Sequence, residues 1–477
     1  MAHCSSLIHF YCSCALLILI LQWKAAGAKE APSTPPPLTF RTELLKAENG
    51  AFNGRTHHVF KILQLADIHY GEGPGTNWGE RQDAKSIDLI QSLLQSEAPD
   101  LVVLSGDQLT ADFIIEGAPA VQKELVQAMV DEQPNVRWCL VMGNHDDHPF
   151  ETFLDNGDVV LTDAITTRRD LLYFDAALEG SATVAGHKSM YKLPIFHETD
   201  GDDERDTSSP AAEIFVFDTG GGMIREEIDQ EQVDWFIDTT SRSHPIPALA
   251  FQHIASNAGA WTFGEECSGI DEESNKVKTV KNDPGLFDAM MNYEDLHFVG
   301  VGHNHGKSYC CDYQDLHLCY GRHSGYGGYE KVDRGGRIYE LRIEDGDGSR
   351  MFSWESWVRL EDGSIVDRYQ PNYVKEYPLP AVETHIPTLV PSSRPTIVEV
   401  GTFPPSTAFT ESPSVDETDQ PSLSPSATPS EAPLGGGTQV PTDALAPGAP
   451  SSGSIREISR STLLLFATGL GHALLIS

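Results

Sequence analysis

Five apolar runs in this chain each stop at a short polar block rich in aspartate and histidine. Val59 to Ala66 ends at Asp67-Ile-His69, Leu101 to Leu104 at Ser105-Gly-Asp107, and Trp138 to Met142 at Gly143-Asn-His-Asp146. Ala248 to Gln252 runs into His253, and Leu296 to Val301 into Gly302-His-Asn-His305. Between the first three runs, Ile87, Ile90 and Leu94, and then Val121, Leu125 and Met129, recur at helical spacing. The order is therefore βαβαβ, and an α/β fold with parallel strands under covering helices is expected. In open α/β sheets the carboxyl ends of the strands face the ligand crevice, so blocks far apart in sequence can converge.

The rest of the middle reads the same way. Ile214 to Phe217 is strand-like, Asp229 with Gln232 three residues on caps a helix, and Asp283-Pro284 opens another. Leu316 to Tyr320, Ile338 to Ile343 and Met351 to Leu360 read as antiparallel β, with Trp354 and Trp357 packing the far side. Acidic residues outnumber basic ones by 70 to 33, and no basic stripe compensates. Binding to a nucleic-acid scaffold is not expected, because a backbone-binding surface needs clustered Lys and Arg. No internal stretch approaches the ~18 apolar residues of a membrane span, which excludes a multi-span protein.

Both ends read as processing signals. Ala15 to Leu21 is an apolar run followed by the small residues Ala26-Gly-Ala28, so residues 1–28 are expected to be a secretory signal, with an uncleaved anchor as the alternative. Residues 451–477 combine small residues, a polar spacer and a hydrophobic tail over 462–476, the order of a glycosylphosphatidylinositol attachment signal. Between them lie a leader segment, 29–57, a domain over 58–376, and a Pro/Ser/Thr-rich stalk over 377–450 that lacks the apolar content to fold. An extracellular or cell-surface address follows as an expectation. Past the signal, Cys139, Cys267, Cys310, Cys311 and Cys319 remain, an odd number. Cys139 sits in an apolar run as a small hydrophobe, and a bridge from Cys319 to Cys310 or Cys311 is expected across a short hairpin.

Asp67 and His69, two apart, share one side of an extended chain. Gly106 before Asp107 lets backbone and carboxylate come close to an ion. Asn144 adds an amide oxygen, and His253, His303 and His305 add imidazole nitrogens. Two carboxylates, four imidazoles and an amide suit a pair of metal ions better than one. Singly, each block has a plainer reading as a turn or a buried histidine. As an ordered set at strand ends they form a complementary ligand inventory.

These blocks resemble the five signature blocks of the calcineurin-like metallophosphoesterases, over roughly residues 58–345. The wording around them, Pro99 to Gln108 and Leu318 to Gly321, is similar to the branch of fungal Dcr2-type phosphatases and of plant proteins named as purple acid phosphatases without being purple. The resemblance implies a layered α/β/β/α sandwich with mixed sheets. It implies that Asp67, His69, Asp107 and His305 hold one ion and Asp107, Asn144, His253 and His303 the other, with Asp107 as bridge and a hydroxide between the ions as nucleophile. The ions would be Fe, Mn or Zn, and no other cofactor is implied. True purple enzymes have glycine and tyrosine where this chain has His69 and Thr110. The iron–tyrosinate ligand is therefore missing, and His69 is expected to take that place.

His145, beside Asn144, is expected near the phosphate as a general acid, with Asp146 orienting it and raising its pKa, or else serving as a turn carboxylate. His148 and His323 read as exposed loop histidines more readily than as cleft residues, and Gly325 to Tyr329 as a substrate rim or a β-turn. The acidic stretch Glu198 to Asp206 reads as a solvated loop, or as a screen against anionic substrates. Three functions compete: a phosphomonoesterase, a phosphodiesterase on nucleotides or phospholipid head groups, and a non-catalytic surface protein that keeps its metals for stability. A phosphate ester and, through the lipid anchor, a membrane are the implied partners.

Overall fold

A computed structural model describes residues 37–378, apart from 47–51, 115–116, 154–158, 163–165, 198–208, 243, 274–275, 330 and 347–348. The expected signal peptide, the acidic stretch Glu198 to Asp206, the stalk beyond Pro378 and the attachment signal lie outside the described residues.

The chain begins with β1 (Leu38–Lys46) and β2 (Phe52–Leu65), then α1 (Asn77–Glu97), β3 (Leu101–Ser105), α2 (Ala118–Glu132) and β4 (Trp138–Val141). The hairpin β5 (Phe150–Phe153) and β6 (Val159–Thr162) stands apart, and α3 (Arg168–Ala176) follows it. Next come β7 (Tyr191–His197), β8 (Ala212–Val216), α4 (Gln230–Thr240), β9 (Ala248–Phe251), β10 (Cys267–Asp271), α5 (Leu286–Met291) and β11 (Leu296–Val301). The strands β12 (Lys307–Tyr313), β13 (Leu316–Tyr320), β14 (Gly335–Asp345), β15 (Ser349–Leu360), β16 (Ile365–Tyr369) and β17 (Lys375–Pro378) close the domain.

Strands β2, β3 and β4 run parallel in one sheet, which β14 and β15 extend with antiparallel neighbours. Strands β8, β9, β11 and β13 run parallel in the other. The two meet at β1, whose first residues pair with β7 and whose later residues pair with β2. Phe40, Phe60, Val103, Ile214, Phe251, Phe298 and Leu341 fill the space between the sheets. On one outer face α1, α2 and α3 bury Leu93, Leu125 and Leu171 against Leu63, Leu104 and Leu140, and on the other α4 and α5 bury Phe236 and Leu286 against Phe215 and Val299. Three apolar layers between helices, sheet, sheet and helices make an α/β/β/α sandwich with mixed sheets, as expected.

Several details differ from the sequence reading. Part of the segment set apart as a leader is β1 itself, and β17 carries the fold to Pro378, past the expected limit at 376. Trp354 and Trp357 do not share a side: three residues apart on one strand they face oppositely, Trp354 into the inter-sheet core and Trp357 towards α1. Helix α5 starts at Leu286, and Asp283 accepts from the Gly285, Leu286 and Phe287 amides just ahead of it. Cys319 pairs with Cys310 and Cys267 with Cys311, each across directly opposed strand positions, while Cys139 is buried and free. Adjacent on β12, Cys310 and Cys311 point to opposite faces, so each face of that strand carries one bridge.

Candidate metal centre

The carboxyl ends of β2, β3 and β4 and of β9 and β11 meet at one edge of the sandwich, and there the polar blocks interlock. The Asp67 amide donates to the Gly106 carbonyl at 3.1 Å, the His69 amide to the Asp107 carbonyl at 2.9 Å, and the Gly302 amide to the His253 carbonyl at 2.9 Å. The two sheets are tied at the same level by Gln64, whose Nε2 donates to Ser105 Oγ and to the Val301 carbonyl, both at 3.0 Å. Asp67, His69, Asp107 and His303 all hold positive φ, between 50° and 71°. For residues with a Cβ this left-handed backbone is strained, and its concentration at four candidate ligands marks the place where the fold is bent to serve a site. Gly106 is required for close approach: a Cβ there would sit 2.1 Å from His253 Nδ1.

The candidate ligands form two groups. Asp67, His69 and His305 present donor atoms to one another, as do Asp107, His253 and His303. His305 Nε2 lies 3.6 Å from Asp67 Oδ1, and His69 Nε2 lies 3.2 Å from His305 Nε2. In the second group His253 Nε2 is 3.1 Å from Asp107 Oδ2 and 3.2 Å from Asn144 Oδ1. Asp107 Oδ2 is also 3.7 Å from His69 Nε2, so this one carboxylate faces both groups.

The donor chemistry calls for cations. His253 Nδ1 sits 3.0 Å from the Ser105 carbonyl, which can only accept, so that nitrogen carries hydrogen and Nε2 of the neutral ring turns its lone pair on two further acceptors. Without a metal a proton fills the gap: burial opposes the imidazolium, but Asp107 outweighs it and lifts His253 to about 9. Asp67 and Asp107 are buried, and among the described residues neither pairs with Lys or Arg. Burial pushes the Asp67 carboxyl up to about 7. Burial likewise lowers His69 to about 4 and His303 to about 3, which leaves both rings neutral and able to ligate. Imidazole and carboxylate donors of this kind fit Fe, Mn or Zn.

His145 stands at the mouth with its side chain one third exposed, its ring 5.1 Å from that of His69 and stacked on His148 at 5.4 Å. Its amide donates to Asp107 Oδ1 at 2.7 Å. The expected pairing of His145 with Asp146 is corrected. Asp146 turns inward, where its carboxylate accepts from the Gly143, Asp107 and Leu109 amides and from Gln108 Nε2, joining the second and third blocks. Asp112 faces the His145 ring instead, 3.5 Å from Nδ1. Burial acts against the His145 cation, yet Asp112 and Asp107 raise it to about 9.

His323 is also corrected. It is buried, its ring 4.2 Å from that of His305 and its Nε2 3.1 Å from the Gly327 carbonyl. The segment from Gly325 to Tyr329 is a wall of the site: Gly327 and Gly328 lie directly on His69 and His305, and the Tyr329 ring stacks on His305 at 3.9 Å. His305 Nδ1 is 3.1 Å from the Tyr329 carbonyl, and His69 Nδ1 is 3.1 Å from Thr110 Oγ1. The two departures from the purple-enzyme pattern thus touch each other. Asp112, Gln108 and Arg168 were not singled out by sequence, because a carboxylate, an amide or a guanidinium in a loop or helix carries no signal until its distant partner is known.

The sequence profile of the calcineurin-like phosphoesterases matches residues 60–307. The "Probable inactive purple acid phosphatase 28" of Arabidopsis thaliana is 23% identical over 354 residues, covering 68% of this chain and 85% of that protein. The "Probable inactive purple acid phosphatase 29" of the same plant is 25% identical, over 65% of this chain and 84% of that one. "Phosphatase DCR2" of Saccharomyces cerevisiae is 26% identical, over 62% of this chain and 53% of that one.

Proposed function

The chain belongs to the calcineurin-like phosphoesterase family, and on that premise we propose that it hydrolyses phosphate monoesters, with His145 as the acid for the leaving alcohol. The observation that carries this reading is the pair of buried histidine–carboxylate groups facing one another across Asp107, with a partly exposed histidine beside them. Asp67, His69, Asp107 and His305 would hold one ion, and Asp107, Asn144, His253 and His303 the other. Ions held by these residues would supply charge to polarise a phosphoryl oxygen and acidify a water. Asp107 sets the spacing of the two groups, and the backbone bonds between the blocks hold that spacing rigid. Asp112 engages His145 Nδ1 and favours the imidazolium, which leaves Nε2 to deliver a proton to the departing oxygen.

The test uses purified protein supplied with Mn, Fe or Zn. Faster turnover of p-nitrophenyl phosphate than of bis-p-nitrophenyl phosphate is expected, and His145→Ala should lower kcat about 10²–10⁴-fold with metal content unchanged. Metal-replete protein inert towards both esters would favour the non-catalytic reading; two of the plant relatives are named probable inactive phosphatases. Preference for the diester would reassign the substrate.

The external address is part of the proposal. Two disulfides within one sheet suit an oxidising compartment, and the terminal sequences suit export and lipid attachment. Release of the protein from intact cells by a phosphatidylinositol-specific phospholipase is the expected result.

A further inference from the structure

Away from the metal centre, β2, β7 and β14 bring His58, His197 and Asp345 together at the seam between the two sheets. We infer that these three side chains form a separate zinc site. His197 ends β7 opposite Phe40 of β1, His58 lies on β2 opposite Thr42 of β1, and Asp345 ends β14 two residues beyond the partner of His58. One donor atom from each side chain lies within 4.8 Å of the other two. The two imidazoles meet edge to face, with ring centres 4.8 Å apart.

Three features distinguish this group from an ordinary ion pair. His58 Nε2 is 3.6 Å from Asp345 Oδ2, too long for a good hydrogen bond. Two donors bound to one tetrahedral zinc at 2.0–2.1 Å stand about 3.3 Å apart, so the spacing fits ligands that share an ion. His305 and Asp67 in the metal centre stand at the same 3.6 Å. The remaining atoms of two of the ligands are already held from outside: His58 Nδ1 by Thr42 Oγ1 at 3.2 Å, and Asp345 Oδ1 by Arg350 Nε at 3.0 Å. Such outer contacts fix tautomer and orientation in metal sites. Two imidazoles and one carboxylate favour zinc over the oxygen-seeking calcium and magnesium, and a water completes the tetrahedron.

An ion here would do mechanical work. His197 belongs to one sheet and His58 and Asp345 to the other, and among the described strands β1 is the one whose backbone pairs with strands of both. Zinc would add a tie between the sheets beside β1, at the end remote from the ligand blocks.

The test is zinc content by mass spectrometry on the full chain after equilibration with zinc and gel filtration, with thermal unfolding measured alongside. His58→Ala and Asp345→Ala should each bind one zinc per chain fewer than the parent and keep its ester hydrolysis. They should also lose at least about 2 °C of the zinc-induced rise in Tm. Asp345 has a side chain 44% exposed, so its variant stays folded even if His58→Ala does not. Equal zinc content in parent and variants would overturn the site. That comparison reads a difference between proteins, so it holds whether or not the Asp107 centre binds two ions or turns over any ester.

Discussion

Two sets of buried carboxylates lie on either side of the Asn144 loop, and they differ in what neutralises them. Behind the loop, Arg168 of α3 pairs with Asp147 at 2.9 Å and Asp218 at 2.5 Å and donates to the Gly143 and Gly221 carbonyls. Its guanidinium is buried, and its pKa is raised because the two aspartates outweigh desolvation. In front of the loop, Asp67 and Asp107 are buried as deeply, and among the described residues imidazoles and amides rather than Lys or Arg meet their oxygens. The same low-dielectric surroundings thus produce a closed knot where the chain supplies its own cation and an open cradle where it does not. Stability is expected from the first, and the proposed function places the chemistry in the second.

The comparison breaks most visibly at Asp107. Asp107→Asn should cost at least about a thousand-fold in turnover and release both ions, since Asp107 is the proposed shared ligand; elemental analysis that still finds two ions would contradict the sharing. The metal-free fold should be no less stable than its parent in urea, because an amide can accept from the His145 amide and donate to His253 Nε2. Arg168→Met should do the reverse. It strands two buried carboxylates, and a loss of about 3–5 kcal/mol in unfolding free energy is expected. The smallest effect is expected at the rim. Asp112→Asn should lower kcat about tenfold and move the alkaline limb of the pH–rate profile to lower pH, because Asp112 raises the His145 pKa; a limb that stays put separates the two residues.

What could be read in the sequence follows from which interactions are local. A strand buried on both faces is an uninterrupted apolar run, so β3, β4, β9 and β11 and the block after each stood out. Strand β7 alternates and contains Pro194 and was not singled out, and β1 follows the prolines at 35–37 in the segment set apart as a leader. The residues that converge at the strand ends could be picked out because each block carries its own spacing. Their supporting contacts were not: Asp112 meets His145, Gln64 meets Val301 and Arg168 meets Asp218 only after the chain has folded back. Asp146 shows the error that adjacency invites. Next to His145 in sequence, it nevertheless turns away, because unpaired amides in the turn compete for its carboxylate.

The left-handed backbone at Asp67, His69, Asp107 and His303 carries a liability for anyone improving this protein in the laboratory. Each position costs the chain about 1–2 kcal/mol that glycine would not incur. Selection for heat tolerance alone would therefore drift toward glycine at those four places and enrich sturdy, inert variants, unless every round is also scored for turnover.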